Sequence, residues 1–244
     1  MLPLIEIILF SFLSYKIFKA VKTFRSKSSE TADFLEICKT SSQKLLGKSR
    51  YTALFATEIT VLYYAFFGWQ QRKPKNNEFT GYKENASIAM AGAFLMVVFI
   101  ETYAFHVLLM KWSSIAAWVL TGLSIYSALS IVAHIKALLK RPSVLTNEKL
   151  VLKNGLIADI SVKLTDISRI EAYSKEMNSK ENKVGHLGIN TESSNHNIAI
   201  HFKSPQTIQK MYGFTKECDV LLVHIDDKHQ FLTKVSEKLQ ELSS

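Results

Sequence analysis

Four ionisable side chains lie inside long apolar stretches of this 244-residue chain, and they are the residues best suited to chemistry. They are Glu58, Glu101, His106 and His134. A charge at the centre of a lipid bilayer costs about 2.5–3.5 kcal/mol on the insertion scale, so such residues usually face a bundle interior or a cavity. The pattern is typical of a proton relay, an ion site or a solute site between membrane helices.

The spacing of these groups predicts one polar cluster. Glu101 and His106 are five residues apart, about 140° around a helix, and Thr102 fills the arc between them. The next apolar stretch carries a stripe of hydroxyl side chains that can face this sector. The predicted cluster has six members: Glu58, Tyr63, Glu101, His106, Ser127 and His134. The same groups also suit hydrogen bonds that only fix helix packing, and the sequence leaves both interpretations open.

Long apolar segments predict a helical membrane domain over residues 1–142. A helix needs ~20 apolar residues to cross the hydrocarbon core, and lipid offers no partner for an unpaired backbone group. Spans are predicted at about residues 2–21, 51–69, 87–110 and 113–138. The last two form a tight hairpin, with Lys111 and Trp112 at the lipid–water interface.

Two segments of this domain have alternative interpretations. The segment at residues 2–21 has a short apolar core and would also suit a helix lying in the interface. The connection at about residues 31–47 predicts an amphipathic helix, with Phe34, Ile37 and Cys38 on one face. That helix either lies on the bilayer surface or packs on the helical bundle or the soluble domain.

The charge distribution indicates a lipid partner. Net charge is +9. Residues 1–142 hold 17 Lys/Arg and 8 Asp/Glu, whereas residues 143–244 hold 13 of each. The excess lies beside the apolar spans, where it attracts anionic lipid headgroups. No nucleic-acid partner is expected, because a nucleic-acid-binding domain would concentrate its basic residues on the soluble part.

The motifs that usually mark a cofactor or a catalytic nucleophile are absent from the sequence. The two cysteines, Cys38 and Cys218, are isolated and show no metal-type spacing. Neither HxxxH nor HxxHH occurs, so a metal-dependent membrane oxygenase is disfavoured. There is no Walker loop, GxSxG elbow or dinucleotide fingerprint. The sequence therefore predicts no cofactor and no metal, and an enzyme is less expected than a non-enzymatic protein.

The hydrophobic pattern changes period from Ser143 onward. KLVLKNG and LIADISVKL read as strands, and the Asn154–Gly155 pair between them is a strong hairpin signal. Further strands are predicted toward the C-terminus, followed by a helix capped by Asp226 or Asp227. Residues 143–244 are therefore predicted to form a β-barrel or sandwich closed by one α-helix.

This order of elements resembles the bacterial pleckstrin-homology-like domain. The resemblance rests on NEKLVLKNGLIADISVKLTDISRIEAY and on the terminal VLLVHIDDKHQFLTKVSEKL. It implies a bacterial multi-span membrane protein with a PH-like domain that binds a protein partner or its own bundle. Phosphoinositide binding is not implied, because the lysines of the first hairpin (Lys149, Lys153 and Lys163) are offset by Glu148 and Asp159.

The sequence thus predicts an integral, multi-pass protein of a bacterial cell membrane, with a bundle of four transmembrane helices and a C-terminal PH-like domain. The predicted role is a non-enzymatic, membrane-anchored interaction or regulatory module. A small transporter or ion-coupled protein that uses the Glu/His cluster is the alternative, and an intramembrane enzyme is the third. Ten Lys/Arg on one side against nine on the other do not decide the orientation; the resemblance implies a cytoplasmic C-terminal domain.

Overall fold

A computed structural model describes residues 33–47, 49–67, 74–83, 86–175, 183–188 and 196–242. The predicted span at about residues 2–21 lies outside the described residues.

Two short helices precede the apolar hairpin. Helix α1 spans Phe34–Leu46, and the Asp33 side chain caps it by accepting a hydrogen bond from the Glu36 amide at 3.0 Å. Helix α2 spans Arg50–Phe66 and is capped in the same way by Ser49. The apolar face of α1 is buried against α2. The helix within the predicted amphipathic connection therefore packs on protein.

Two long helices form the apolar hairpin. Helix α3 spans Ser87–Met110 and helix α4 spans Ser114–Lys140, with Lys111 and Trp112 in the turn between them. Both are long and apolar enough to cross a membrane. No residue of α3 is buried, whereas α4 buries one side of its C-terminal half. Apart from the contact between the two helices and the buried Ala117, the hairpin is therefore bare, that is, uncovered by other parts of the protein, along α3 and along the first half of α4.

Three of the four predicted spans fall largely within the described ranges, and the prediction is wrong for one of them, since two helices there qualify. The segment at about residues 51–69 was expected to cross the bilayer. Helix α2 has only 17 residues, about 26 Å of helix, which is shorter than the ~30 Å hydrocarbon core. One of its faces is buried between α1 and α4, so its apolar residues serve packing within the protein.

The C-terminal part is a mixed eight-stranded sheet closed by a helix, compatible with a sandwich-like domain, which confirms the coarser part of the fold prediction. The sheet order is β1-β2-β3-β4-β7-β8-β6, with β5 also paired to β7, and only β6 and β8 are parallel. The long strand β7 changes register between His201 and Gln206 and so pairs with β5 at one end and with β4 at the other. The elements are β1 (Glu78–Phe79), β2 (Ser143–Leu145), β3 (Lys149–Asn154), β4 (Ala158–Lys163), β5 (Ile167–Ala172), β6 (Val184–His186), β7 (Ile198–Lys210), β8 (Thr215–Val223) and α5 (Lys228–Glu241).

Helix α5 closes the core of the sheet. The Asp227 side chain caps the helix by accepting from the Gln230 amide at 3.1 Å. Phe231 and Val235 are one turn apart on the helix and are fully buried against the sheet. This amphipathic spacing explains why the helix docks with one apolar stripe and leaves its other face in solvent.

Strand β1 comes from a segment that the sequence reads only as a polar loop. Phe79 is 3% exposed and meets the ring of Phe231 edge-on at 4.9 Å. Phe79 also pairs with Ser143 in the sheet, and the hydroxyl of the following residue, Thr80, donates to Asp226 at 2.6 Å. The apolar hairpin therefore emerges between two strands, β1 and β2, that are neighbours in one sheet.

The eight-stranded sheet and helix α5 are called the β domain below. We expect Phe79→Ala to lower its free energy of unfolding by about 3–5 kcal/mol, because the substitution removes a buried ring from the core. Thermal unfolding of the purified full-length protein in detergent measures this loss. Asn77→Ala is the matched control, since its exposed side chain is lost while the backbone carbonyl that accepts from Leu145 remains. Equal melting temperatures for the two variants would contradict a structural role for β1.

Candidate functional site at the helix–sheet junction

Glu58, the first member of the predicted polar cluster, lies where three elements meet. It is half-buried on α2 and accepts a hydrogen bond from the hydroxyl of Tyr126 on α4. Tyr212, in the turn between β7 and β8, approaches both groups and has a positive φ of 60°. Burial raises the pKa of the Tyr212 phenol, and the charge of Glu58 raises it further. Glu58 thus ties α2 to α4 beside a strained turn of the β domain.

The tip of that turn is in close contact with α2. Gly213 follows Tyr212 with φ of 77°, and a Cβ at this position would approach the Cβ of Ala53 to 2.7 Å. Only glycine fits both the backbone conformation and the space. The β7–β8 turn is therefore pressed against α2.

His106 makes a hydrogen bond that joins the two arms of the hairpin. Its Nδ1 lies 2.8 Å from Oγ1 of Thr121 on α4. Because the Thr121 hydroxyl donates its own proton to the Ala117 carbonyl at 2.8 Å, the histidine is the donor. The edge of Trp118 also meets the His106 ring. These contacts make His106 an interhelical packing group in this structure.

The other cluster members on these helices are placed separately. Glu101 is exposed on α3 and has no hydrogen bond or ion pair with any residue that the structure describes. Ser127 is exposed and donates to the Leu123 carbonyl of its own helix at 3.0 Å. Tyr63 stacks on Phe34 with ring centroids 3.7 Å apart. Within the described ranges no hydrogen bond joins two of the six predicted residues, and their joint function stays a prediction.

His134 holds the first β-hairpin of the sheet against α4. Its Nδ1 accepts a hydrogen bond from the Leu156 amide at 3.3 Å. Gly155 has φ of 53°, and a Cβ there would collide with the His134 ring. The Asn154–Gly155 pair therefore serves two needs, a left-handed backbone conformation in the turn and close approach to a helix.

The strongest polar interaction lies at this same junction and was not recognised in the sequence. The Arg141 guanidinium, at the end of α4, donates to Asp33 at 3.0 Å and to Asp159 at 2.7 Å. It also donates to the Gly155 carbonyl. The Lys153 ammonium donates to the same Asp33 oxygen at 2.6 Å. Four charges from α4, the cap of α1, β3 and β4 thus meet at one point, which we call the Arg141 network.

The Arg141 network is buried and balanced in charge. The Arg141 side chain is 1% exposed. Burial alone would raise the pKa of Asp33, but Arg141 and Lys153 outweigh burial and hold that pKa well below its usual range. Burial alone would lower the pKa of Arg141, and Asp33 and Asp159 reverse that effect. Asp33 and Arg141 both remain ionised, because each has an opposite charge in contact.

A cavity of about 340 Å³ lies beside the Arg141 network, between the hairpin and the sheet. Its walls come from the start of α3, the end of α4, the segment after β1, the β3–β4 turn and the segments that flank β6 and β8. No aspartate or glutamate side chain of the described residues lines it. The cavity joins an apolar helix surface to a group of basic and imidazole side chains: Arg141, Lys153, His134, His196 and His224.

Metal and thiol chemistry find little support in the described residues. No group of three or more His, Cys, Asp or Glu in these ranges is arranged to hold a metal ion. Cys38 and Cys218 are fully buried. Burial raises the pKa of each thiol to about 11, and a protonated thiol is a poor nucleophile.

Comparisons of the chain with known proteins give no relatives: no protein-family model, curated protein or solved structure matches it.

We expect Asp33→Asn to lower the free energy of unfolding at neutral pH by about 3–5 kcal/mol, because it leaves buried Arg141 and Lys153 without a shared counter-charge. The ordinary pKa of Asp33 is 3.8, and the folded protein holds it lower. Ionised Asp33 therefore stabilises the protein above its unfolded-state pKa, and that stability is lost as pH falls toward the folded-state pKa.

The wild-type melting temperature should consequently fall more steeply than that of Asp33→Asn between about pH 5 and about pH 3. The control is Glu36→Gln, which changes an exposed carboxylate on the same helix. Parallel pH profiles of wild type and Asp33→Asn would rule out this role of Asp33.

The two carboxylates of the predicted cluster should behave differently. Glu58→Leu removes the carboxylate that accepts from the Tyr126 hydroxyl, and we expect a loss of about 0.5–1.5 kcal/mol in stability, because Tyr126 is partly exposed. Glu101→Leu removes a carboxylate with no partner among the described residues and should leave the melting temperature unchanged or higher. Thermal unfolding in the same detergent compares them, and a larger loss for Glu101→Leu would show that Glu101 has a buried partner.

Proposed function

We propose that this protein is an integral membrane protein of a bacterial cell membrane, in which the α3–α4 hairpin crosses the bilayer. Its C-terminal domain serves as a membrane-anchored, non-enzymatic interaction or regulatory module. The observation that carries the proposal is the bare apolar surface of the hairpin. Helix α3 has 24 residues and none is buried, which gives about 36 Å of apolar helix for a hydrocarbon core of ~30 Å.

Lipid is the covering that best fits this surface. Large contiguous apolar patches are rare on proteins that meet water, yet residues such as Phe99 and Ile100 are exposed in the middle of α3. The turn at the far end of the hairpin carries Lys111 and Trp112, both exposed. Lysine and tryptophan are typical of the lipid–water interface, so the turn suits the opposite surface of the membrane.

The distribution of Lys and Arg around the hairpin favours a cytoplasmic location for the β domain. Because β1 and β2 pair with each other, both ends of the hairpin lie on the same side. Lys111 is the one Lys or Arg in the turn of this hairpin, whereas nine Lys/Arg flank its two ends. The positive-inside rule then favours the cytoplasm for those ends. The nine are Arg72, Lys73, Lys75, Lys83, Lys136, Lys140, Arg141, Lys149 and Lys153.

The regulatory role draws on the β domain. Its resemblance to bacterial PH-like domains suggests that it binds a protein partner. The exposed lysines near the hairpin ends, Lys75, Lys83 and Lys149, suit contact with anionic lipid headgroups. His106 and Ser127 make local hydrogen bonds that stabilise helices. Such contacts support a structural use of these two polar residues.

One observation favours the alternative of a proton- or ion-coupled transporter. Glu58, Tyr126 and Tyr212 form a contact between a helix, the hairpin and the β domain. A carboxylate linked to two phenols is suited to passing a proton. Proton uptake by proteoliposomes that Glu58→Gln abolishes, without a change in melting temperature, would support this alternative. Uptake no greater than in protein-free vesicles would favour the interaction module.

Cysteine labelling tests whether the hairpin crosses the membrane. Native Cys38 and Cys218 are buried, so the background reaction should be low. We expect Lys111→Cys to react with a membrane-impermeant maleimide on intact cells, and Ser204→Cys, on the exposed part of β7, to react only after permeabilisation. The reverse pattern would place the β domain outside. Equal reaction of both positions, together with release of the protein by alkaline carbonate, would contradict the proposal.

A further inference from the structure

The cavity beside the Arg141 network has an apolar end that opens toward the bare face of the hairpin. Met90 and Phe94 line it, and they are 56% and 60% exposed. They are four residues apart on α3, so they form one ridge along the helix. This ridge therefore belongs both to the cavity wall and to the exposed helix surface that would contact lipid under the proposed function.

The opposite end of the cavity is basic. Arg141 and Lys153 line it, whereas their carboxylate partners, Asp33 and Asp159, do not. The cations of the Arg141 network thus line the cavity, whereas its carboxylates do not. Lys153 donates one of its three N–H groups to Asp33. An anionic group would therefore meet basic side chains and no described carboxylate.

We infer that this cavity binds one anionic amphiphile, a molecule with a phosphate or carboxylate headgroup and an acyl chain. The headgroup lies near Lys153 and the chain leaves along Met90 and Phe94. The inference deepens the proposed function and rests on it, since the bilayer would supply such a ligand. The volume of about 340 Å³ falls within the range of small-molecule sites.

Both halves of the cavity are needed to select this class of ligand. A free phosphate ion would use the basic end and leave the apolar walls in contact with water. A neutral hydrocarbon would fill the apolar end and offer no acceptor to the remaining N–H groups of the Lys153 ammonium, which is unfavourable. An anionic amphiphile satisfies both ends at once.

The test measures binding to the purified full-length protein in a non-ionic detergent by native mass spectrometry. Three probes separate the two ends: 1-oleoyl lysophosphatidic acid carries both, oleyl alcohol carries the chain, and glycerol 3-phosphate carries the head. We expect a saturable 1:1 adduct with lysophosphatidic acid, at least about tenfold tighter than with either of the others. Equal binding of oleyl alcohol would overturn anion recognition. Equal binding of glycerol 3-phosphate would indicate a site for a free phosphate and overturn the amphiphile.

A matched pair of variants locates the site. Ala91 lines the cavity, whereas Ala93 is exposed on the same helix and does not. Ala91→Trp should fill the cavity and weaken lysophosphatidic acid binding at least about tenfold, with Ala93→Trp within about twofold of wild type. If Ala91→Trp lowers the melting temperature without ligand, Ala91→Leu provides the smaller obstruction. Equal affinity of the cavity and control variants would overturn the site.

The two proposals fail separately. Binding in detergent does not require the hairpin to cross a bilayer, and maleimide labelling does not require the cavity to be filled. Labelling that shows a crossing hairpin, combined with unchanged affinity in Ala91→Trp and Ala91→Leu, would remove the ligand site alone. Loss of binding in these variants, combined with equal labelling of both cysteine positions, would remove the membrane topology alone.

Discussion

Arg141 carries a positive charge on a side chain that is 1% exposed, and the junction between the helices and the sheet is built around that charge. An unpaired buried ion is strongly destabilising, so two carboxylates must be in contact with it. One is the cap of α1 and the other lies on β4. Arg141 follows directly on α4, so its two ion pairs hold the apolar hairpin, α1 and the sheet in one arrangement. The cavity and the contact of His134 with the β3–β4 turn both lie at this junction.

The same junction divides the hairpin into two environments. Near Arg141, α4 packs against α2 and the β domain, and the Lys136 ammonium donates to the Ala65 carbonyl at 2.8 Å. Toward Lys111, both helices are bare. The charges of the Arg141 network and the Lys136 ammonium lie on the protein-packed side of this boundary. On the bare part of α3, His106 pairs with Thr121, whereas the Glu101 carboxylate has no partner among the described residues.

Features that depend on neighbouring residues could be predicted from the sequence, and features that depend on distant residues could not. The length of the apolar runs predicted the α3–α4 hairpin, and the predicted helix cap, Asp226 or Asp227, proved to be Asp227. Both features are local patterns. Arg141 looked like an ordinary helix end, since its partners Asp33 and Asp159 are far away in sequence. Phe79 stood alone among polar residues and gave no periodic signal. Helix α2 has the apolarity of a span, and only its neighbours reveal that it packs on protein.

The pairing of β1 with β2 also constrains how the chain is made. Synthesis releases Phe79 before the hairpin and Ser143 after it, so the edge of the sheet cannot close until both apolar helices have left the ribosome. Closing a long loop is entropically unfavourable, and a hairpin already held in a bilayer brings its two ends together in advance. If the hairpin crosses a bilayer as proposed, its insertion would precede the β1–β2 pairing, and the bilayer would hold the two strands close enough to pair.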